Sequence, residues 1–364
     1  MPERQQQLEQ QILEALATVR DPDLGRDIVS LGFVKDVTVA EGIADVTIEL
    51  TTPACPVKDQ MKEQARQLIS ALPGIKQANV NMTAQVRSTA ASGASPFLEG
   101  VKNTIAVASG KGGVGKSTVS ANIALALQRS GASVGLLDAD IYGPSIPVIL
   151  GIKARPAVTE KNLLIPVEQY GLKVISAGFF ISEEDAVIWR GPMLNKLLDQ
   201  FLGMVQWGEL DYMIVDLPPG TGDIQLSLCQ KISLAGAVIV STPQDVAIKV
   251  AQKAITMFRK LNTPILGMIE NMSYFVCGHC GKREEVFGTG GAERAAERLD
   301  IPFLGKIPLA TSIRSTSDSG RPEIIDHPES PMAQAFIHVA ENLAAQISIA
   351  ALKGEIHQGI KVSF

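Results

Sequence analysis

The sequence predicts an α/β protein in which a small α+β domain precedes a larger domain with a mostly parallel, doubly wound sheet. Within residues 1–88, helical and alternating patterns of apolar residues follow one another in the order α-β-β-α-β. From about residue 99 the strand-like segments are almost continuously apolar and are separated by helical segments. Strands of this kind are typical of a parallel sheet that helices cover on both faces.

The predicted elements of the small domain follow from the spacing of its apolar residues. Leu8, Ile12 and Leu16 recur at helical spacing, which predicts an amphipathic helix near the N-terminus. Two alternating segments on either side of Ala40-Glu41-Gly42 predict a hairpin. A second helix is expected over residues 56–72, and a third strand over residues 78–86.

The large domain begins after small and polar residues that end in a proline, which is the composition of a linker. We therefore predict a small domain over residues 1–88, a linker over 89–98, a large domain over 99–350 and a tail over 351–364. Five apolar segments of the large domain are predicted strands: 104–108, 134–137, 212–215, 237–240 and 265–269.

The composition excludes several classes of protein. Hydrophobic residues make up 46% of the chain and charged residues 20%, which is typical of a folded protein and not of a disordered one. A net charge of -5 and only 5% aromatic residues argue against nucleic acid or a membrane surface as a partner. The N-terminus lacks the pattern of a secretion or transit signal, and no apolar run approaches the length of a membrane span. We expect a cytoplasmic protein whose four cysteines are reduced.

A glycine-rich motif with a lysine and a serine follows the first strand of the large domain. It satisfies the pattern G-x-x-x-x-G-K-[ST] between a strand and a helix, in which backbone N–H groups surround phosphates. Lys116 is expected to contact the β- and γ-phosphates, and Ser117 to hold Mg²⁺. The glycines also match the dinucleotide pattern G-x-G-x-x-G, but that site does not need the Lys-Ser pair. The motif predicts a nucleoside triphosphate site formed by Gly110, Lys111, Gly112, Gly113, Val114, Gly115, Lys116, Ser117 and Thr118.

Carboxylates stand where two other predicted strands end. Asp138 and Asp140 follow one apolar strand, and Asp216 ends another. In doubly wound sheets, side chains at the carboxyl ends of the strands face the ligand crevice. We expect Asp216 to bind Mg²⁺ through water, and Asp138 or Asp140 to orient the water that attacks the nucleotide. Taken alone, each aspartate could also be a turn residue or a helix cap.

Lys111 has no role in an ordinary P-loop. With this lysine, residues 110–117 resemble the deviant Walker A motif of the SIMIBI class of P-loop NTPases, which includes MinD, ParA and the nitrogenase iron protein. The resemblance implies that Lys111 reaches the nucleotide of a partner subunit across a homodimer interface, as an arginine finger does.

Cys277 and Cys280 form a C-x-x-C pair in a polar loop. Such a pair can bind zinc, perform thiol redox chemistry, supply half of the ligands of a metal cluster, or be two surface thiols. The other cysteines, Cys55 and Cys229, lack a matching spacing. In a symmetric dimer, two copies of the pair would bring together four thiolates, which is the ligand set of a [4Fe-4S] cluster.

Taken together, the motifs of residues 100–350 resemble the Mrp/ApbC iron-sulfur cluster carrier ATPases. The resemblance implies an ATPase that uses ATP and Mg²⁺, holds a labile [4Fe-4S] cluster between the subunits of a homodimer, receives it from an assembly scaffold and passes it to apo-proteins. It implies that Asn271 contacts adenine and that Cys277 and Cys280 bridge the cluster. The motifs that carry the resemblance, besides the P-loop and the cysteine pair, are residues 138–145, 189–193, 216–223, 242–247, 270–273 and 287–291.

The small domain resembles a second family, that of SufT-like iron-sulfur assembly proteins. The matching segments are residues 21–23, 27–32 and 51–56. Cys55 precedes Pro56, which is predicted to be the first residue of a helix, and a helix N-terminus lowers the pKa of a thiol. Cys55 is therefore either a reactive thiol or a buried cysteine.

Two other functions compete with the carrier. A MinD/ParA-like positioning ATPase would need a basic amphipathic helix or a basic DNA-binding face, and residues 341–364 contain only two lysines and no arginine. Such a protein also has no use for the cysteine pair. A dimeric ATPase bridged by zinc at Cys277 and Cys280 is the other alternative, and metal analysis separates it from a carrier.

Overall fold

The computed structural model describes residues 2–89, 97–180, 191–277 and 279–353. Most of the predicted linker, the motif residues Trp189 and Arg190, Gly278 and most of the predicted tail lie outside the described residues. The chain divides into two compact units, Met1–Arg87 and Ser88–Phe364. The exact domain boundaries given above remain predictions.

The small unit has the predicted order of elements. Its elements are α1 (Pro2–Leu16), β1 (Val34–Ala40), β2 (Ile43–Leu50), α2 (Lys58–Ser70) and β3 (Gln77–Ala84). Strands β1 and β2 are antiparallel and β3 is parallel to β2. Glu41 and Gly42 join the first two strands, both at positive φ, as a two-residue hairpin turn requires. One face of the sheet packs against the apolar sides of both helices.

The predicted start of the second helix is wrong by two residues. Helix α2 begins at Lys58, and Pro56 precedes it in a turn. Cys55 therefore lies three residues before the helix and partly buried, with its backbone carbonyl accepting from the Lys58 N–H at 3.3 Å. Because the field of a helix end acts mainly over its first turn, the argument for a reactive Cys55 loses its main support.

The large unit is built on a nine-stranded sheet. The strands of the unit, including the separate β6–β7 pair, are β4 (Val101–Ser109), β5 (Val134–Asp138), β6 (Ala157–Val158), β7 (Leu164–Ile165), β8 (Val167–Gln169), β9 (Leu172–Ser176), β10 (Leu210–Asp216), β11 (Gly236–Ser241), β12 (Ile265–Val276), β13 (Arg283–Glu284) and β14 (Phe303–Leu309). The strand order in the sheet is β13-β12-β11-β4-β10-β5-β9-β8, and β14 also pairs with β12. The pairings of β8 with β9 and of β12 with β13 are antiparallel, and the others are parallel, so the prediction of a mostly parallel sheet is confirmed.

Helices connect the strands of the large unit. The buried apolar residues of the central strands pack against them, so both faces of the sheet are covered. The helices are α3 (Lys116–Arg129), α4 (Ile146–Ile149), α5 (Gly191–Gly203), α6 (Asp223–Lys231), α7 (Asp245–Lys260), α8 (Gly291–Arg298), α9 (Thr311–Asp318), α10 (Glu323–Asp326) and α11 (Pro331–Lys353).

The sheet brings the predicted site residues to one edge. Strands β5, β4 and β10 are neighbours and run parallel, so their carboxyl ends meet. The glycine-rich loop follows β4, while Asp138 and Asp216 are the last residues of β5 and β10 and stand directly opposite each other in the pairing. Both carboxylates are fully buried.

Helix α11 bears on the expectation that no apolar run approaches the length of a membrane span. Among the described residues, Pro331–Leu352 is long and apolar enough to cross a membrane by length and composition. Half of the most apolar stretch of this helix is buried inside the protein, and α11 packs against α3 and β14. A core helix of this length meets the same criteria.

We predict that Phe258→Ala lowers the free energy of unfolding of the large unit by about 3–5 kcal/mol, because it opens a cavity at a fully buried site of α7. Both tryptophans of the sequence, Trp189 and Trp207, belong to this unit, so urea unfolding followed by tryptophan fluorescence reports on it. Val246→Ala on the same helix is the matched control. Val246 is 69% exposed, so its removal should change the free energy by no more than about 0.5 kcal/mol. Equal effects of the two substitutions would contradict the packing described here.

Candidate nucleotide and cysteine sites

The glycine-rich loop depends on glycine at two positions for different reasons. Gly115 has φ +79°, and a Cβ there would lie 2.3 Å from the Asn271 side-chain nitrogen. At Gly110, a Cβ would lie 2.5 Å from the Ala251 backbone nitrogen of α7. The loop can therefore approach both β12 and α7 closely. It leads into α3, whose first turn holds Lys116, Ser117 and Thr118.

The Asp216 carboxylate is the centre of the polar contacts at the start of α3. The Lys116 ammonium is 2.7 Å from Asp216 Oδ1 and 3.9 Å from Asp140 Oδ2, and its side chain is 6% exposed. The Ser117 hydroxyl donates to Asp216 Oδ2 at 2.6 Å. The Ser120 hydroxyl donates to Asp216 Oδ1 at 2.7 Å. The structure thus brings together the lysine, the serine and the acidic residue that the motifs predict.

Asp138 is held by donors of the protein. The Asp140 backbone N–H donates to Oδ1, while the Ser176 hydroxyl at 2.8 Å and the Ile146 N–H at 3.3 Å donate to Oδ2. Burial, and secondly the negative charge of Asp216, raise the pKa of Asp138 far above its ordinary value. Asp138 is therefore a weaker acid than an exposed aspartate.

Asp140 differs from Asp138 in its surroundings. Its side chain is 13% exposed and lies beside Lys116. Burial raises the pKa of Asp140, and the charge of Lys116 counteracts that effect. Asp140 is thus the more accessible of the two candidates for contact with a water molecule.

Lys111, the lysine of the deviant motif, contacts another loop of its own chain. Its ammonium donates to the Gln244 side-chain oxygen at 3.3 Å, directly before α7. The Thr242 hydroxyl donates to the same oxygen at 3.4 Å. Lys111 is half-buried.

Asn271 lies against the glycine-rich loop. Its side-chain nitrogen donates to the Val114 backbone oxygen at 2.8 Å. The residue belongs to β12, which was predicted to span 265–269 but continues to Val276. The cysteine pair therefore begins directly after this strand, and five residues separate Asn271 from Cys277.

The cysteine pair stands in a short hairpin. Strand β13 pairs with the end of β12, and the Cys277 N–H donates to the Lys282 oxygen at 2.9 Å. The Arg283 guanidinium lies over the Tyr274 ring at 3.7 Å, which braces the hairpin. Cys280 is exposed and Cys277 half-buried. No group of three or more metal-ligating side chains is found within the described part of a single chain.

The cysteines differ in acidity. Hydrogen bonds from the Cys280 backbone N–H, the His279 backbone N–H and the Cys280 thiol lower the pKa of Cys277. Burial raises the pKa of Cys229, within α6, to about 12, so little of this thiol is ionised at neutral pH. Cys277 is therefore well suited to act as a thiolate ligand.

Sequence reasoning missed four residues of these sites. Ser120 and Ser176 donate to buried aspartates, Gln244 accepts from Lys111, and Glu270 accepts three hydrogen bonds beneath the start of α8. Ser120 could have been found, since it lies one helical turn after Lys116. Gln244 and Glu270 belong to motifs that carry the resemblance, but their contacts are made across the fold.

Comparison with known proteins identifies the family. Residues 100–344 match the family described as "NUBPL iron-transfer P-loop NTPase", and residues 9–82 match the family described as "Iron-sulfur cluster assembly protein". The chain is 48% identical to the iron-sulfur cluster carrier protein of Deinococcus radiodurans over 94% of this chain and 96% of that one. The chain belongs to the iron-sulfur cluster carrier family. The carrier protein of Synechocystis is 44% identical over 94% of this chain and 98% of its own length.

Solved structures agree with this assignment. A nucleotide-binding protein from Archaeoglobus fulgidus in complex with ADP superposes with a TM-score of 0.57 at 42% identity, covering 66% of this chain and 93% of that one. The septum site-determining protein MinD of Pyrococcus horikoshii with Mg-ADP gives a TM-score of 0.50 at 25% identity, covering 65% and 94%. The predicted membership of the cluster carriers and the predicted P-loop NTPase fold are both confirmed.

We predict that Cys277 is the first cysteine of the large unit to be alkylated in the metal-free protein. Its lowered pKa places more thiolate at neutral pH, so its rate with iodoacetamide should level off at a lower pH than that of a free thiol, whose pKa is about 8.5. Mass mapping after short exposures at pH 6–9 measures the rate at each cysteine.

The control is Cys280→Ala, which removes the thiol donor and should move the Cys277 profile to higher pH. Cys229 should remain unlabelled in the folded protein, because its pKa of about 12 leaves almost no thiolate. Equal rates at Cys277 and Cys229 would contradict the environments described above.

Proposed function

We propose that this protein is an ATP-hydrolysing carrier that binds a labile [4Fe-4S] cluster between two copies of the chain and transfers it to apo-proteins. The observation that carries the proposal is that one strand links the glycine-rich loop to the cysteine pair. Strand β12 contacts the loop through Asn271 and ends at Val276, directly before Cys277. A change at the nucleotide can therefore reach the cysteine pair through a single continuous element.

The contacts of Lys116 support a role in ATP binding. In this structure the Lys116 ammonium is neutralised by Asp216. The β- and γ-phosphates of ATP would compete for this lysine, and the backbone N–H groups of residues 110–115 together with the start of α3 would surround them. Asn271, beside the loop, is expected to contact adenine.

Mg²⁺ fits the oxygen atoms present. The Ser117 hydroxyl and the Asp216 carboxylate are adjacent oxygen donors, which are the ligands that Mg²⁺ prefers. When bound, the ion would neutralise charge that develops on the phosphates. These two residues would hold it, Asp216 through water.

Hydrolysis requires a positioned water molecule. Water attacks the γ-phosphorus, the bond from this atom to the β–γ bridging oxygen breaks, and ADP and phosphate form. Both oxygens of Asp138 accept from protein donors, whereas Asp140 is partly accessible and lies beside Lys116. We therefore assign the orientation of water to Asp140 and the support of its loop to Asp138.

The homodimer is required by both sites. Lys111 is proposed to leave Gln244 and contact the nucleotide of the partner subunit, which makes hydrolysis depend on dimerisation. Two cysteines per chain are half of the ligand set of a [4Fe-4S] cluster, and a two-fold axis supplies the other half. An assembly scaffold as cluster donor, apo-proteins as recipients and a cytoplasmic location complete the proposal.

Lys111→Ala should abolish ATP hydrolysis and leave ATP binding intact, because the lysine acts on the partner's nucleotide. In the unmodified protein the rate per subunit should rise with protein concentration through the range of dimerisation. Phosphate release measured over that range, with binding of a fluorescent ATP analogue, tests both points.

Two variants serve as controls for the Lys111 experiment. Lys249→Ala, an exposed lysine of α7, should retain the full rate, while Lys116→Ala should lose binding as well. A rate per subunit that stays constant from the monomeric to the dimeric range would rule out action in trans.

Anaerobic reconstitution with iron and sulfide tests the cluster. About four irons per dimer are expected, with visible absorption and Mössbauer signals of a [4Fe-4S] cluster, and the double variant Cys277→Ala/Cys280→Ala should lose them. The control Cys229→Ala removes a buried cysteine outside the hairpin and should keep the iron. Stoichiometric zinc without uptake of iron would instead support the zinc-bridged dimer.

A further inference from the structure

A fully buried carboxylate lies between the nucleotide site and the cysteine hairpin. Glu270 is on β12, directly before Asn271, and its side chain is 0% exposed. It accepts hydrogen bonds from the Ser273 hydroxyl at 2.5 Å and from the backbone N–H groups of Gly290 at 2.9 Å and Ala292 at 2.8 Å. Among the described residues Glu270 forms no ion pair, so these donors and the N-terminal end of α8 compensate its charge.

The contact with Ser273 braces an irregular point of the strand. Pairing of β12 with β14 shifts register between Asn271 and Phe275, and Met272 has φ +55°, a left-handed conformation that few non-glycine residues adopt. Such bulges re-aim a strand and are frequent beside functional sites. The Glu270–Ser273 hydrogen bond spans the irregular residues and fixes the direction in which the strand continues toward Cys277.

The contacts with Gly290 and Ala292 join the strand to the segment that follows the hairpin. The chain leaves β13 at Glu284 and returns to Glu270 at residues 290–292, where α8 begins. Glu270 therefore holds both sides of the hairpin: the strand that enters it and the segment that leaves it.

The start of α8 also contacts the loop before α7, which accepts a hydrogen bond from Lys111. A Cβ on Gly291 would lie 2.2 Å from the Pro243 backbone oxygen, so the two backbones are in direct contact. Gln244, the next residue, accepts from Lys111. The second contact runs through the neighbour of Glu270 in the chain: Asn271 donates to the Val114 oxygen of the glycine-rich loop. Two routes from the nucleotide site thus meet at this carboxylate.

We infer that Glu270 is a positioning residue that couples the nucleotide site to the cysteine hairpin. It joins β12, the start of α8 and the segment after the hairpin into one unit, so that a shift at Val114 or Gln244 moves the cysteines. The inference rests on the proposed function and adds the route through which nucleotide changes the hold on the cluster.

The test compares cluster loss with and without ATP. The reconstituted full chain is mixed with an iron chelator, and the rate of loss of cluster absorbance is measured with and without a non-hydrolysable ATP analogue. The ratio of the two rates is the coupling. Allosteric couplings are typically about 5- to 150-fold, so we expect a ratio of about fivefold or more in the unmodified protein.

Glu270→Gln is the test variant. The amide keeps the size of the side chain but presents an NH₂ group to one of the N–H or O–H donors, which breaks part of the junction. We expect the ratio to fall below about twofold, with the affinity for the ATP analogue and the iron content both retained. Glu293→Gln is the matched control, because Glu293 lies exposed in the first turn of α8 and pairs with Lys306. It should keep the full ratio.

The outcomes separate the two claims. A ratio of one in the unmodified protein overturns the coupling in the proposed function, and the inference with it. A clear ratio that Glu270→Gln leaves unchanged overturns the inference alone. Should Glu270→Gln fail to fold, Ser273→Ala carries the test, since it removes one donor and leaves the carboxylate in place; an unchanged ratio there overturns the inference.

Hydrogen exchange supplies a readout that needs no cluster. In the unmodified cluster-free protein, the ATP analogue should change exchange in residues 286–298, which include the two N–H groups bonded to Glu270. The change should be absent in Glu270→Gln and present in Glu293→Gln. The same change in all three proteins would assign the segment another link to the nucleotide and overturn the inference.

Discussion

The nucleotide site depends on the ion pair between Lys116 and the fully buried carboxylate of Asp216. Two serine hydroxyls also donate hydrogen bonds to Asp216, so the negative charge of this carboxylate is both paired and hydrogen-bonded. A buried pair of this kind contributes little net stability, but removing one partner leaves an uncompensated charge and costs about 3–5 kcal/mol. The arrangement places the glycine-rich loop, α3 and β10 in fixed relation, and the remainder of the site is built around them.

Short sequence patterns, each set by a few neighbouring residues, predicted much of this architecture. The apolar strands, the order of elements in the small unit and the P-loop could be identified because each depends on a few neighbouring residues. The predicted helix start at Pro56 was wrong because proline tolerates a first helical turn without requiring one, and the chain forms turns there instead. The end of β12 was placed too early, since a strand that pairs with β13 and β14 beyond the sheet core no longer needs a continuous apolar pattern.

The contacts that organise the candidate sites were less accessible to sequence reasoning. Ser176 reaches Asp138 over 38 residues, and Asn271 reaches Val114 over 157. The polar residue types at these positions are compatible with any exposed loop, and only the fold makes them partners. Motif resemblance singled out Asn271 as a candidate site residue, but it could not indicate that the same strand extends to the cysteine pair.

Asp138 and Asp216 stand side by side at the ends of neighbouring strands, where burial and the charge of Asp216 raise the pKa of Asp138. Negative charge that enters such a crevice favours the protonated form of a carboxyl, whereas a divalent cation favours the ionised form. The two strand ends therefore place a charge-sensitive group directly beside the carboxylate that pairs with Lys116. A change in the charge held in the crevice acts on both acidic side chains at once, because the sheet fixes them next to each other.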